Sequence, residues 1–334
     1  LLDKGFLYEE AHHIPLIAVW PETSPGVRTE LVSNMDVFPT ILDSEGMGVH
    51  DAEGRALDGR SLLPLITDPQ SPSGWEARDA FLEANMGLVN DWIIDQLQPQ
   101  PGQVVLDVGA GPGDLGHRIA GLVAPEGRVL STDFAQEMVT VAQRLGEARG
   151  VTNVEYRQLD GEQMDLPDNS VDAVVCRSGY MLMGDPAAAF RETRRVLRPR
   201  GVLAFSVFTT PDRNPWAAVP GATLVQRGHL PPPQPGGPGP FALADPDRIR
   251  DLLTNAGFIE PDITAIDFAF HYSNADDAWN AIVDLNDPLA VIIEALSTGE
   301  QAAIRATVLD AFTTHRQTDG SYPVPAQAWA VLAR

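Results

Sequence analysis

The stretch Val104-Val-Leu-Asp-Val-Gly-Ala-Gly-Pro-Gly113, continued by Asp114-Leu-Gly-His-Arg-Ile-Ala-Gly-Leu-Val123, decides the fold. Its first five residues are too short for a helix and nearly all apolar, which reads as a buried strand. In the continuation Leu115, Ile119 and Val123 recur at helical spacing. Between the two, three glycines alternate with other residues, so the backbone can turn sharply and meet a ligand with no side chain in the way. The spacing is not the G-x-G-x-x-G of a dinucleotide loop, although Gly116 completes a degenerate version. No Gly-Lys-Ser/Thr follows, which excludes a phosphate P-loop.

Outward from this unit the same alternation repeats. Upstream, apolar residues at helical spacing run from Trp75 through Phe81, Met86, Val89, Ile93 and Leu97, and stop at Pro99-Gln-Pro-Gly102. Downstream, strands are predicted at 128–132, 153–157, 171–176, 201–207, 263–270 and 328–332. Helices are predicted at 136–149, 186–197 and 247–256, the last closed by Gly257, and across 275–317. Strands alternating with helices imply a Rossmann-like, doubly wound α/β fold with a mostly parallel seven-stranded sheet. Residues 275–317 read as a helical lid insertion. Two composition breaks, 67–74 and 230–240, are rich in Pro, Gly and Ser. The first divides residues 1–72 from a domain at 73–334, and the second reads as a long loop inside that domain.

Composition narrows the partners. There are 46 acidic residues against 23 basic ones, a net charge of −23, and a single lysine, Lys4. Without a compensating basic groove this charge opposes a nucleic-acid complex. The densest basic run, Arg191, Arg194, Arg195, Arg198 and Arg200, reads as one solvated helix face. Cys176 stands alone, so there is no disulfide framework, and no Cys/His cluster offers a metal site. It is expected to be a buried small residue rather than a nucleophile. No apolar stretch reaches the roughly 20 residues that span a bilayer. The expectation is a cytoplasmic protein with no membrane span and no metal.

Three acidic residues fall at strand ends, where an open parallel sheet binds ligands. Asp133 is placed to accept hydrogen bonds from ribose hydroxyls and Asp160 one from an exocyclic adenine amine. Asp107 either faces a cationic amine or caps the loop. Carboxylates without Lys or Arg in the loop suit a positively charged, phosphate-free nucleoside.

The motifs Leu106-Asp-Val-Gly-Ala-Gly-Pro-Gly113, Ser131-Thr-Asp-Phe134 with Met138, Leu159-Asp-Gly-Glu162, Asp172-Ala-Val-Val175 and Val196-Leu-Arg-Pro-Arg-Gly-Val-Leu203 resemble, in order, those of class I S-adenosylmethionine-dependent methyltransferases. Within that class the chain is most similar to the small-molecule group that includes the ubiquinone and menaquinone methyltransferases. The resemblance implies S-adenosylmethionine as cofactor and a small-molecule acceptor. It implies that Gly109 and Gly111, with Ala110 between them, meet the methionine moiety. Asp133 would hold the ribose, Phe134 and Met138 the adenine faces, and Asp160 with Gly161 the adenine edge. Arg177 would line the methyl-transfer site or serve a nearby carboxylate, and Met138 could equally be helix core. No catalytic base is assigned. His229 and His271 read as packing or surface residues as readily as pocket ones. Trp216, Phe241, Phe270, Tyr272 and Trp279 would line an apolar acceptor pocket or form the core of the lid.

The first segment has its own resemblance. Asp3-Lys-Gly-Phe-Leu-Tyr-Glu-Glu10, Ile14-Pro-Leu-Ile17, Met35-Asp-Val-Phe-Pro-Thr-Ile-Leu42 and Leu57-Asp-Gly-Arg-Ser-Leu-Leu-Pro-Leu65 resemble the closing part of a sulfatase domain, a partial α/β segment in which the lysine at Lys4 would approach sulfate. The family's nucleophile motif and its metal set are absent from these residues, so sulfate-ester hydrolysis by them is not expected. Adjacent His12 and His13 on one strand would point to opposite faces and chelate poorly. The segment reads either as a fused remnant or as part of a bifunctional chain.

Overall fold

The computed structural model describes residues 74–334 apart from 234, 235, 260, 285 and 286. The readings on residues 1–72, including Lys4, His12 and His13, lie outside the described residues. In chain order the elements are α1 (Gly74–Leu97), β1 (Val104–Val108), α2 (Asp114–Val123), β2 (Arg128–Asp133), α3 (Gln136–Ala148), β3 (Val154–Gln158) and β4 (Val171–Arg177). They continue with α4 (Pro186–Val196), β5 (Leu197–Phe208), α5 (Pro215–Gln226), α6 (Pro246–Asn255), β6 (Asp262–Tyr272), α7 (Ala275–Asp284), α8 (Asp287–Glu294), α9 (Thr298–Phe312) and β7 (Tyr322–Ala333).

The seven strands form one sheet in the order β3-β2-β1-β4-β5-β7-β6. β1 to β5 pair in parallel, and β7 runs antiparallel to both β5 and β6. β6 therefore points the same way as the first five strands, and the fold is the Rossmann-like one expected. Strand order reverses between β1 and β4, which opens the crevice where such sheets bind ligands.

Local chemistry explains the element ends. Asp185 caps α4 by accepting from the Ala188 N–H, with Pro186 preset for the first turn. Asp245 and Pro246 do the same for α6, and Gly257 follows it at φ +94°. Ser297 caps α9 through the Glu300 N–H. The core runs along both sheet faces. Tyr180, Phe190 and Phe205 are fully buried and in mutual ring contact, and each such ring contributes roughly 1.5–3 kcal/mol by leaving water.

Three differences from the sequence reading stand out. Strand β5 begins at Leu197, four residues early, so Arg198 and Arg200 leave the supposed helix face for the strand, with Arg200 at φ +69°. Arg195 is not a solvated charge either. It ties the chain after β3 to α4 by donating to Asp168, Glu192 and the carbonyls of Met164 and Leu166. Helix α5 had no counterpart in the expected pattern, because Pro215 and the internal Pro220 mask its periodicity. Within 275–317 the described residues form α7, α8, α9 and a closing 3-10 turn, Thr313–His315, while 295–297 and 316–317 are not helical. None of the described helices is long and apolar enough to cross a membrane.

Candidate functional site

The glycine turn sits at the carboxyl end of β1. Gly109, Gly111 and Gly113 all have positive φ, at 64°, 56° and 87°, a region where a side chain is strained. A Cβ on Gly111 would meet nothing within 4 Å, so this position borders open space. The loop is pinned from β2. The Ala110 N–H donates to the Thr132 carbonyl at 2.9 Å and the Gly111 N–H to Asp133 Oδ2 at 3.0 Å. Asp133 Oδ1 accepts from the Ala135 N–H at 3.0 Å. Each carboxylate oxygen thus spends one acceptor site on backbone and keeps another for a ligand hydroxyl. Burial pushes the Asp133 carboxyl above its usual range, opposed by these N–H donors.

Beside it, Phe134 is 72% exposed, an uncovered ring that a flat apolar ligand face could cover. Met138, four residues on in α3, is half-buried and outside the core. Asp160 is exposed, with Oδ1 accepting from the Glu162 N–H at 2.8 Å. Gly161 is buried and closely met: a Cβ there would fall 2.7 Å from Met183 Cε and 3.1 Å from Val108 Cγ1. Gly109 likewise faces Gly179, whose Cα lies 3.5 Å from the position its Cβ would take. The backbone of three loops converges here.

Two residues behave otherwise than a ligand contact would. Asp107 is 1% exposed and lies under the first turn of α2, so that a Cβ on Gly116 would come within 2.9 Å of its Oδ2. Burial, reinforced by the charge of Asp114 and opposed by Arg177, pushes its pKa up to about 7. Asp107 thus packs beneath the helix start, a placement that neither the amine-facing nor the loop-capping reading described. Arg177 is bound to a carboxylate: its Nη2 donates to Asp114 Oδ1 at 2.6 Å, its Nη1 to Asp114 Oδ2, and Nη1 also reaches Asn90 Oδ1 at 3.2 Å. Asn90 in turn donates to Asp114 at 3.0 Å. Burial raises the Asp114 pKa, but the guanidinium and the Asn90 amide outweigh it and leave the carboxyl below its ordinary range. Sequence reasoning missed Asn90 and Asp114. Helical spacing hinted only that Asn90 shares a stripe of α1 with Met86.

On the β5 and β6 side the aromatic residues pack together. Phe270 and Tyr272, read as possible pocket lining, are each 1% exposed. Phe81 of α1 stacks on both, at 5.9 Å and 5.6 Å between ring centroids, and Trp216 meets Phe270 at 4.7 Å. Trp216, Phe241 and Trp279 are partly buried against the core. His229 lies 2.9 Å from Glu300, which also pairs with Arg227, so α9 is tied to the end of α5. The His271 side chain is exposed, while its backbone N–H donates to Asn85 Oδ1 at 2.7 Å. Cys176 is fully buried and burial pushes its thiol well up, as expected of an inert residue.

The donor set fits a cationic nucleoside. Asp133 and Asp160 lie accessible near the strand ends, Arg177 is consumed by Asp114, and Gly111 borders open space. Residues 99–226 match the family model described as a methyltransferase domain, and residues 1–83 match the C-terminal region of N-sulphoglucosamine sulphohydrolase. The chain is 33% identical over 130 residues to the ubiquinone/menaquinone biosynthesis C-methyltransferase UbiE of Coxiella burnetii, covering 39% of this chain and 52% of that protein. It is 38% identical over 135 residues to UbiE of Hahella chejuensis, covering 38% and 54%. The chain thus spans about half the length of the curated relatives it matches. Among solved structures, YcgJ of Bacillus subtilis is 19% identical, with a TM-score of 0.48 over 74% of this chain and 97% of that one. Residues 99–226 are thus similar to methyltransferase domains, and residues 1–83 to the C-terminal region of the sulphohydrolase family.

Proposed function

We propose that the unit at 73–334 transfers a methyl group from S-adenosylmethionine to a small apolar or aromatic acceptor in the cytoplasm. The observation that carries this reading is Asp133, fixed by two backbone N–H groups beside an open glycine cradle with acceptor capacity to spare. Bound S-adenosylmethionine supplies a sulfonium methyl already activated for in-line displacement. This chain's residues have then to position and to exclude water. Asp133 holds the ribose, Gly109, Ala110 and Gly111 give backbone access to the methionine moiety, and Phe134 with Met138 covers the adenine. Asp160 and Gly161 bound its edge. Asp107 and Arg177 act from beneath, by fixing the start of α2. Residues 275–317 form the lid over the acceptor, and residues 1–72 an appended sulphohydrolase-like segment.

Calorimetric titration with S-adenosylmethionine and S-adenosylhomocysteine tests the reading. Binding is expected, and Asp133→Ala should weaken it about 100-fold, since two charge-assisted hydrogen bonds are lost. Intact folded protein that binds neither compound would overturn the proposal.

A further inference from the structure

The glycine turn ends against a buried imidazole. His117, 6% exposed in the first turn of α2, lies over Gly113: a Cβ on Gly113 would fall 3.0 Å from its Cε1 and 3.1 Å from its Nε2. Its backbone N–H donates to the Gly113 carbonyl at 2.9 Å. The same ring meets the phenol of Tyr156 on β3, with Nε2 2.9 Å from Oη. On α3, a Cβ at Gly146 would fall 1.8 Å from that Oη and 2.9 Å from Nε2. Glycine at 113 and at 146 thus makes room for one imidazole–phenol pair.

The hydrogen bonds fix which nitrogen carries the proton. Arg149 Nη1 lies 3.0 Å from His117 Nδ1. A guanidinium only donates, so Nδ1 is bare and Nε2 carries the hydrogen that Tyr156 Oη accepts. Arg149 is held in turn by two carboxylates of α1, Asp79 and, at 3.6 Å, Glu83. A second hydrogen, on Nδ1, would face the guanidinium N–H and break that bond. Burial and the Arg149 charge depress the His117 pKa to about 4, with Asp114 acting the other way, so the ring is neutral at pH 7. Burial and Glu147 push Tyr156 up to about 12, so it stays a phenol. The turn is therefore clamped twice, at Gly111 by Asp133 and at Gly113 by a ring whose angle is set from β3 and α1.

Resting on the methyltransferase reading, we propose that His117 is a positioning residue for the cofactor: held as the Nε2–H tautomer between Arg149 and Tyr156, its ring fixes the Gly113 end of the glycine turn, and with it the backbone that meets the methionine moiety. Asp79 and Glu83 reach the turn only through Arg149 and this imidazole, so α1 takes part in cofactor binding without touching the ligand.

The test is equilibrium dialysis of the full chain, at micromolar concentration, against labelled S-adenosylhomocysteine from pH 7 to pH 4, with melting curves in the same buffers. His117→Gln removes the ring and should weaken binding about tenfold at pH 7, the order of one net hydrogen bond. That advantage of the wild type should fall about twofold by pH 4, where half of its rings have taken a second proton and released Arg149. Titration of the ligand and of Asp133 is common to both proteins and cancels in the ratio. Tyr156→Phe keeps the aromatic ring, removes only the acceptor of the Nε2 hydrogen, and should weaken binding about threefold. A His117→Gln protein that melts lower but binds as the wild type, or a ratio constant from pH 7 to 4, makes His117 a packing residue and overturns the proposal. If His117→Gln does not fold, Tyr156→Phe decides, and unchanged affinity there overturns it. Wild-type protein that binds no S-adenosylhomocysteine overturns the methyltransferase reading and this proposal with it, whereas wild-type binding with unaffected variants overturns this proposal alone.

Discussion

Where β1, β2 and β3 end, the chain presents glycine backbone and carboxylates; where β5 and β6 end, it presents aromatic rings. Asp133 is fixed by main-chain donors from its own and the neighbouring loop, whereas Phe270 and Tyr272 are fixed by Phe81 from a helix far away in sequence. The first region is organised by local hydrogen bonds, the second by packing between distant elements. The two should accordingly respond to substitution in different currencies, ligand affinity on one side and stability on the other.

Arg177 tests that division most severely. Removing it as Arg177→Ala leaves Asp114 as an uncompensated buried carboxylate and should cost about 3–5 kcal/mol in urea unfolding. The double variant Arg177→Met with Asp114→Leu should recover much of the loss. If the single variant instead unfolds like the wild type but loses S-adenosylhomocysteine affinity, Arg177 belongs to the ligand and the division is misplaced. Phe81→Ala should cost about 2 kcal/mol, less than a fully buried ring because Phe81 is only partly covered. It should leave S-adenosylhomocysteine affinity alone, and a drop in that affinity would show the two regions to be coupled through α1.

Proton linkage sharpens the same comparison. Burial and the Arg149 charge depress His117 to about 4 from an ordinary 6.5. Its contribution to stability is whole above pH 6.5 and is lost as the pH falls toward 4. Asp107 carries the opposite sign. Raised to about 7 from 3.8, it keeps a proton that the unfolded chain gives up, so its contribution is full below pH 3.8 and fades as the pH rises through 7. Between pH 4 and 6.5 the two slopes oppose each other, so relative to the wild type melts over that range should tilt downward with rising pH in His117→Gln and upward in Asp107→Asn. The smallest effect is expected at Gly87, inside α1, where an added Cβ would meet nothing within 4 Å. Gly87→Ala should raise unfolding stability by roughly 1 kcal/mol.

The same contrast governs what could be read from sequence. The turn at Gly109–Gly113, Asp133 at the end of β2 and Asp160 beyond β3 were legible as turn and strand ends, because positive φ and the strand-to-helix alternation fix their residue types and spacing. Arg177 could be singled out but not its partners. Asp114 and Asn90 lie 63 and 87 residues away, a separation that only the fold closes. The rings of Phe270 and Tyr272 were visible as aromatic, yet nothing in β6 shows that Phe81 covers them. Helix α5 hid behind Pro220, and the early start of β5 behind Pro199-Arg200-Gly201, which reads as a turn.

Helix α1 has a consequence for how such a chain could arise and be rebuilt. The sulphohydrolase-like match runs to residue 83, ten residues into a helix that starts at Gly74. Within those ten residues, Asp79 pairs with Arg149, which also bonds His117, and Phe81 covers the β6 rings. In sequence they match one family, and their contacts lie in the unit that matches the other. The sulphohydrolase-like match therefore overlaps a helix whose described contacts lie within the unit Gly74–Arg334. A chimera spliced at residue 83 would import foreign turns into a working structure, whereas a splice ahead of Gly74 would carry the helix across whole.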